Sequence, residues 1–262
     1  QQYIDGTIPD LGTLVEFIMY VNMLTWPVAT VGWVTSIIKA AEASQIRINE
    51  FLEIAPQIQN TVSNHTPITG AIEFKNVTFT YDDTNITALK NVSFSINPGQ
   101  TLAIIGPTGS GKSTILELIG RLYDVTGGVI QIDGYAMRDV NLDDLRSEIG
   151  YVPQDAFLFS DTIGENIKFG DTNASDEQVY AFAKAASVHH NIIDFKNGYN
   201  TILGERGITL SGGQKQRVSI ARALIGNPKI LLLDDCLSAV DTETEEEILN
   251  NLEKLTVDTT TI

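Results

Sequence analysis

The fold of this chain is decided by one stretch of sequence, Gly106-Pro107-Thr108-Gly109-Ser110-Gly111-Lys112-Ser113-Thr114. The apolar run Thr101–Ile105 before it predicts a buried strand, and Thr114–Arg121 after it predicts a helix. Glycines let backbone N–H groups turn inward around phosphate oxygens, and the helix N-terminus adds partial positive charge. The strand–loop–helix order therefore predicts a phosphate-binding P-loop, with Lys112 on the β- and γ-phosphates and Ser113 on Mg²⁺.

A second stretch, Ile230-Leu231-Leu232-Leu233-Asp234-Asp235, predicts another buried strand that ends in two carboxylates. A P-loop enzyme needs an acidic residue at the end of a neighbouring strand to hold its metal ion, and Asp234 is placed for this. Strand-like runs at Ala71–Tyr81 and Val92–Ile96 also follow Gly70. Strands that alternate with helices predict an α/β core with a mainly parallel sheet.

A third stretch, Leu210-Ser211-Gly212-Gly213-Gln214, is a second cradle of small residues, placed before a predicted helix at Gln214–Ile225. One chain has no evident use for two γ-phosphate cradles. The arrangement makes sense if this cradle serves a nucleotide that is held by a second copy.

Together these motifs resemble an ATP-binding cassette (ABC) transporter subunit of the exporter type. The resemblance extends to the D-loop, Ser238-Ala239-Val240-Asp241, to the Q-loop glutamine Gln154, to the adenine-stacking Tyr81 and to the loop before the signature, Gly204-Glu205-Arg206-Gly207. It implies a P-loop NTPase core with an antiparallel β subdomain and a helical signature subdomain, preceded by a transmembrane helix and its cytoplasmic extension.

The resemblance also implies the site and its cofactors, ATP and Mg²⁺. The implied catalytic residues are Asp235, Gln154 and Lys112, with Asp235 orienting or deprotonating the attacking water. Magnesium and its waters would be served by Ser113, Gln154 and Asp234. ATP would contact Tyr81 and the loop Gly106, Pro107, Thr108, Gly109, Ser110, Gly111, Lys112, Ser113 and Thr114, while the signature residues Ser211, Gly212, Gly213 and Gln214 of a second half-transporter would close the site.

Three features depart from the family pattern. Asp235 stands where the family usually has Glu, the sequence contains no histidine after Ile230 to match the family's switch histidine, and only one membrane helix is evident. His65, His189 and His190 lie elsewhere and are interpreted as surface or satisfied residues. Asp235 sustains an alternative function, a mainly ATP-binding regulatory subunit of a heterodimeric exporter.

The N-terminal part has the pattern of a membrane helix. Phe17–Ile38 is a run of 22 uncharged residues, about 33 Å as a helix, and Lys39 and Arg47 after it place the downstream side in the cytoplasm. A buried core helix of a soluble protein is the alternative. A cytoplasmic helix over Lys39–Ile54 is then expected.

The resulting domain prediction is the end of a transmembrane domain over residues 1–56, with the last membrane helix at about 13–38, a linker over 57–70 and a nucleotide-binding domain over 71–262. We expect both ends to continue in a longer chain, because the sequence starts at Gln1 and ends inside an apparent strand. The expected setting is a multi-pass protein of the cell membrane, in contact with lipid, with a cytoplasmic ATP-binding domain that docks on coupling helices.

Composition excludes other classes. The formal net charge of −16 repels phosphate backbones, so nucleic acid is not an expected partner. The single cysteine, Cys236, rules out a disulfide framework. A soluble ABC ATPase that acts on DNA or ribosomes remains a rival, opposed by this charge and by the apolar helix. The transported substrate cannot be read from these residues.

Overall fold

The computed structural model describes residues 11–204 and 210–262. The chain divides into two compact units, one up to Gln57 and one from Ile58 to Ile262. The described part of the first unit is dominated by one helix, α1 (Leu11–Leu52), of 42 residues. At 1.5 Å per residue it is about 63 Å long.

Helix α1 is one continuous helix that covers the predicted membrane helix, about residues 13–38, and most of the cytoplasmic extension predicted over Lys39–Ile54. Pro27 lies inside it, and no residue of α1 is buried. Its apolar side chains are solvent-facing, with Trp26 at 78% exposure. By length and composition α1 is long and apolar enough to cross a membrane.

Threonine hydroxyl groups within the apolar part of α1 bond to the helix itself. The Oγ1 atoms of Thr25, Thr30 and Thr35 donate to the carbonyl oxygens of Val21, Trp26 and Val31, at 3.0, 2.8 and 2.7 Å. Each bond spans one helical turn, so no partner outside the helix is needed. This lowers the cost of placing these threonines in an apolar medium.

The second unit begins with an antiparallel sheet. Strands β1 (Ile72–Thr80), β2 (Thr87–Ile96), β3 (Gly127–Ile132) and β4 (Tyr135–Ala136) lie in the order β2-β1-β3-β4. Phe74 of β1 is paired with Phe94 of β2, and their rings stack at 4.4 Å. Helix α2 (Lys112–Ile119) shares the hydrophobic core of this sheet through residues such as Leu118 and Ile119. These elements confirm the predicted antiparallel subdomain.

The second sheet is parallel, and candidate site residues follow the carboxyl ends of two of its strands. After the short helix α3 (Leu142–Ser147), strands β5 (Ile149–Val152), β6 (Ile230–Leu233) and β7 (Thr260–Thr261) pair in that order. Val152 and Leu233, the last residues of β5 and β6, are opposite each other. The loops that leave these two strands therefore meet at one edge of the sheet.

The buried strand predicted at Thr101–Ile105 is wrong as stated. In this segment Thr101 forms an isolated bridge with Thr261, and Leu102 N–H donates to the Thr261 carbonyl at 2.8 Å. Ile105 is 94% exposed. In the described chain the pairing of this segment ends at Thr101 and Leu102, and a segment without a pairing partner forms no ladder.

A helical region separates β5 from β6. It contains α4 (Ile163–Lys168), α5 (Asp176–Ala185), α6 (His189–Ile193) and α7 (Gly212–Ile225) around one buried cluster. Helix α8 (Thr242–Leu255) follows β6 and begins at the N-cap Asp241, whose side chain accepts from Thr244 N–H. The predicted helical subdomain is confirmed, and the fold class with it.

The segment predicted as a linker packs along the second unit. Asn60 Nδ2 donates to Asn141 Oδ1 at 3.0 Å and to Asp143 Oδ2 at 2.9 Å. Thr66 N–H donates to Asp144 Oδ2 at 2.7 Å, and the Ile68 side chain is buried in the core. Residues 58–70 therefore form an ordered edge of this unit.

Candidate functional site

The glycine-rich loop enters α2 through backbone conformations that require glycine. Gly109 and Gly111 have φ values of 80° and 91°. A Cβ on Gly111 would stand 2.7 Å from the Ala88 carbonyl oxygen, so a side chain there would force the loop away from β2. The loop is thus built to bring backbone close to its surroundings, as a phosphate cradle requires.

Lys112 lies at the start of α2 with its ammonium folded over the loop. Its Nζ donates to the carbonyl oxygens of Gly106 at 2.9 Å and Pro107 at 3.1 Å. This position puts a mobile cation at the centre of the cradle. A triphosphate in the loop would offer the ammonium stronger, charged acceptors than these carbonyls.

Ser113 and Asp234 are far apart in the sequence and lie next to each other in the fold. Asp234 directly follows β6, is buried, and its N–H donates to the Val152 carbonyl at 2.9 Å. Ser113 Oγ donates to Asp234 Oδ1 at 3.0 Å. A hydroxyl and a carboxylate are oxygen ligands, the type that Mg²⁺ prefers, so this pair fits a magnesium ion that also contacts phosphates and water.

Gln154 and Asp235 meet at the same sheet edge. Gln154 comes two residues after β5, Asp235 two residues after β6, and Gln154 Nε2 donates to Asp235 Oδ2 at 3.3 Å. Asp235 has φ of 46°, in the left-handed region. Asp tolerates that region better than most residues, because its short polar side chain can bond locally.

Tyr81 lies just after β1 and reaches α2. Its hydroxyl is 3.0 Å from Thr114 Oγ1 and donates to Glu117 Oε2 at 2.9 Å. Its ring makes edge contacts with Phe79 at 4.8 Å and Tyr123 at 5.4 Å. Burial raises the pKa of the Tyr81 phenol above its usual value.

These groups surround one cavity of about 760 Å³. That volume is within the range of nucleotide-sized pockets. The candidate site residues that line it are Tyr81, Gly106, Thr108, Gly109, Gly111, Lys112, Ser113, Thr114, Gln154, Asp234 and Asp235. Ile86, Thr87 and Ala88 of the β1–β2 turn and β2 also line it, a contribution that no sequence motif indicates.

The signature residues are built into a different place. Ser211 caps α7, its Oγ accepting from Gln214 N–H while Gln214 Oε1 accepts from Ser211 N–H. A Cβ on Gly213 would stand 2.6 Å from the Ala239 carbonyl, whereas one on Gly212 would make only ordinary contact with Ala239 Cβ at 3.7 Å. Ser211–Gln214 are absent from the described lining of the 760 Å³ cavity. The structure therefore does not join this cradle to the P-loop of its own chain.

The region after Gln154 splits into core and surface. Leu158 is fully buried, whereas Phe157 is 50% exposed and contacts Phe159 edge to face at 5.2 Å. Beneath them Arg222 of α7 donates to the Phe157 carbonyl at 2.8 Å and to both oxygens of Asn166 at 2.8 Å. Burial lowers the pKa of Arg222 to about 10, so it remains charged at neutral pH.

The loop before the signature and the histidines are the remaining sequence features. In the loop before the signature, residues 205–207 lie outside the described part of the chain. His189 bonds the Tyr199 hydroxyl through Nδ1 at 2.8 Å, and His65 lies 3.0 Å from Asp144. Neither histidine lines the nucleotide-sized cavity.

Known proteins share this arrangement. A family model described as "ABC transporter" matches residues 89–238, more than half of the chain. Multidrug resistance-like ATP-binding protein MdlA of Escherichia coli is 45% identical over 242 residues, which cover 92% of this chain and 41% of MdlA. The putative multidrug export ATP-binding/permease protein YgaD of Bacillus subtilis is 42% identical over 96% of this chain and 44% of YgaD.

Among solved structures, a bacterial Atm1-family ABC exporter with ATP bound matches with a TM-score of 0.81 and 39% identity, over 97% of this chain and 45% of that one. The chain thus spans less than half the length of these proteins. Because the matched family segment contains the P-loop, Gln154, the signature stretch and the Asp234–Asp235 pair, the chain belongs to the ABC transporter family.

Proposed function

We propose that this chain is the ATP-driven end of an exporter half-transporter. Residues 1–56 end the transmembrane domain, with a membrane helix at about 13–38, and the segment from 71 to 262 is the nucleotide-binding domain. The observation that carries the proposal is the convergence of Lys112, Ser113, Asp234, Gln154 and Tyr81 on one nucleotide-sized cavity. The protein would sit in the cell membrane with this domain in the cytoplasm.

In this proposal each residue has one task. Lys112 and the amides of residues 106–114 hold the phosphates of ATP, and Tyr81 stacks on its base. Ser113 and Asp234 would hold Mg²⁺, with Gln154 beside them, and the bound ion would supply positive charge against the phosphates. Asp235 orients or deprotonates the attacking water, a role supported by its bond to Gln154 and by the position of both side chains in the wall of the cavity.

A second half-transporter, identical or different, would supply Ser211, Gly212, Gly213 and Gln214. Support comes from the separation of Ser211–Gln214 from the cavity within the described chain. Binding of two nucleotides would close the pair of domains, and hydrolysis would open it. Differential affinity of ATP for the closed pair is what would shift this equilibrium.

The exposed phenylalanines after Gln154 support contact with membrane-domain coupling helices. Phe157 and Phe159 stand on a rigid base, because Arg222 ties the Phe157 backbone to Asn166 and lies 5.5 Å from the Phe159 ring. Exposed aromatic side chains held in place are typical of interaction surfaces. Movement of these helices would then accompany the closing of the nucleotide-binding pair.

One observation favours a second function. The Asp235 side chain is shorter than that of Glu, and one of its carboxylate oxygens accepts a hydrogen bond from Gln154. A subunit that binds ATP firmly and hydrolyses it slowly would act as the regulatory half of a heterodimer. Asp235 is the residue that separates this function from that of a fully active half.

The membrane assignment is tested by cysteine labelling in sealed vesicles of the full-length protein. Gly12→Cys should react with an impermeant maleimide only from outside and Gln45→Cys only from the cytoplasmic side, because they flank the apolar part of α1. The native Cys236 gives a clean background: it is buried, and burial raises its thiol pKa to about 12. Labelling of both positions from the same side would rule out the span and favour a soluble ABC ATPase.

A further inference from the structure

The hydroxyl of Tyr81 is held by two residues of α2 that are one turn apart, Thr114 and Glu117. A carboxylate can only accept a hydrogen bond, so the single phenol proton goes to Glu117 Oε2 at 2.9 Å. The phenol oxygen is then left to accept from Thr114 Oγ1 at 3.0 Å. The chain Thr114–Tyr81–Glu117 has one consistent direction.

The aromatic ring of Tyr81 makes edge contacts with two neighbouring rings. Phe79 meets its ring at 78° and Tyr123 at 84°, both as edge contacts. Edge contacts between rings are weak compared with a hydrogen bond to a charged oxygen. The bond to Glu117 is therefore the strongest single contact that sets the direction of the phenol.

Glu117 itself stands apart from the nucleotide-sized cavity. The described lining of that cavity includes Tyr81, Thr114 and Leu116 but not Glu117. Glu117 instead lines a smaller cavity of about 170 Å³ together with Arg146 and Tyr151. The hydrogen bond to Tyr81 is therefore the contact by which the Glu117 side chain reaches a residue that lines the nucleotide-sized cavity.

We propose that Glu117 is a positioning residue for the nucleotide base: it fixes the Tyr81 ring in the orientation that stacks on the base. The inference rests on the proposed function, since it needs Tyr81 to contact the base. A residue needed only for folding would weaken the binding of every ligand when it is lost. Loss of Glu117 should weaken only ligands that carry a base.

The first test compares two ligands on the full-length protein in detergent, MgATP and magnesium tripolyphosphate. Glu117→Ala should weaken MgATP about fivefold, as expected for one lost hydrogen bond, and leave tripolyphosphate unchanged. Glu117→Gln should retain MgATP affinity, because the amide oxygen still accepts from the phenol although the charge is gone. Glu253→Ala, on the exposed side of α8, is the matched control for the loss of one negative charge.

The second test is a double-mutant cycle with Tyr81→Phe, which keeps the ring and removes the hydroxyl. In that background Glu117→Ala should cause no further loss of MgATP affinity. The same fivefold loss in both backgrounds, or an equal loss for tripolyphosphate, would overturn the proposal. If Tyr81→Ala leaves MgATP binding unchanged while Lys112→Ala weakens it about a hundredfold, the P-loop assignment stands and both the Tyr81 assignment and this inference are overturned.

Discussion

Lys112→Ala should abolish ATP hydrolysis and weaken MgATP binding about a hundredfold. Lys112 is the P-loop cation, and its ammonium already lies 2.9 Å from the Gly106 carbonyl inside the loop. Hydrogen bonds to charged groups are worth up to about 3 kcal/mol each, which is about a hundredfold in affinity. The measurements are equilibrium MgATP binding and steady-state phosphate release by the full-length protein.

Lys254→Ala is the control for this substitution, because Lys254 is an exposed lysine at the end of α8. It should bind and hydrolyse ATP like the parent. Thermal unfolding of both variants shows whether the fold is kept. If Lys112→Ala releases phosphate at the parent rate, residues 106–114 do not hold the triphosphate.

Asp235→Glu should raise single-turnover hydrolysis by up to about a hundredfold without changing MgATP affinity. A general base must come within about 2.6–3.2 Å of its water, and a misplacement of about 1 Å costs around a hundredfold in rate. Asp is one methylene shorter than Glu on the same backbone. The rate is to be measured in the full-length protein with the partner site disabled.

The backbone at this position opposes the same substitution. Asp235 has φ of 46°, and residues other than Gly, Asn and Asp lose about 1–2 kcal/mol in the left-handed region. Asp235→Glu should therefore melt at a lower temperature than the parent even as it turns over faster. Asp235→Asn keeps side-chain length and backbone tolerance, so it should bind MgATP normally and hydrolyse none. A rate for Asp235→Glu that is equal to or below the parent rate would make Asp235 a fully competent base and remove the case for a regulatory subunit.

The motifs could be placed from sequence because each ends or begins an element. Asp234 and Gln154 come after β6 and β5, neighbours in a parallel sheet, so their approach is a consequence of topology. The motifs imply that Ser113 and Asp234 lie close together, and the structure gives the length of their hydrogen bond as 3.0 Å. The roles of these residues on a bound nucleotide stay predictions.

Other features depend on contacts that have no local pattern. Whether Thr101–Ile105 forms a strand depends on which distant residues lie beside it, and the pairing described for it is with Thr261. Helix α1 continues through Lys39 because residues 33–52 contain neither proline nor glycine, so the predicted cytoplasmic helix joins the apolar part without a break. Arg222 and Glu117 are ordinary polar helix residues in sequence, and only tertiary packing brings them to Phe157 and Tyr81.

The proposed function requires an ATP site that is shared between the P-loop of one chain and the signature of another. The direct measurement mixes differently tagged full-length subunits that carry Lys112→Ala or Gly212→Asp, and counts trapped nucleotide in purified mixed dimers. Gly212 is the suitable signature position, because a Cβ there fits at 3.7 Å from Ala239 whereas Gly213 has no room.

If the site is shared, one of the two sites in the mixed dimer contains both defects, the altered P-loop and the altered signature. The other site is intact, because it is formed by the P-loop of the Gly212→Asp subunit and the signature of the Lys112→Ala subunit. The expected result is about one trapped nucleotide per mixed dimer, and none in dimers of either variant alone. If P-loop and signature served the same chain's site, every site would carry one defect. A mixed dimer that traps no nucleotide, while the parent dimer does, would contradict the account.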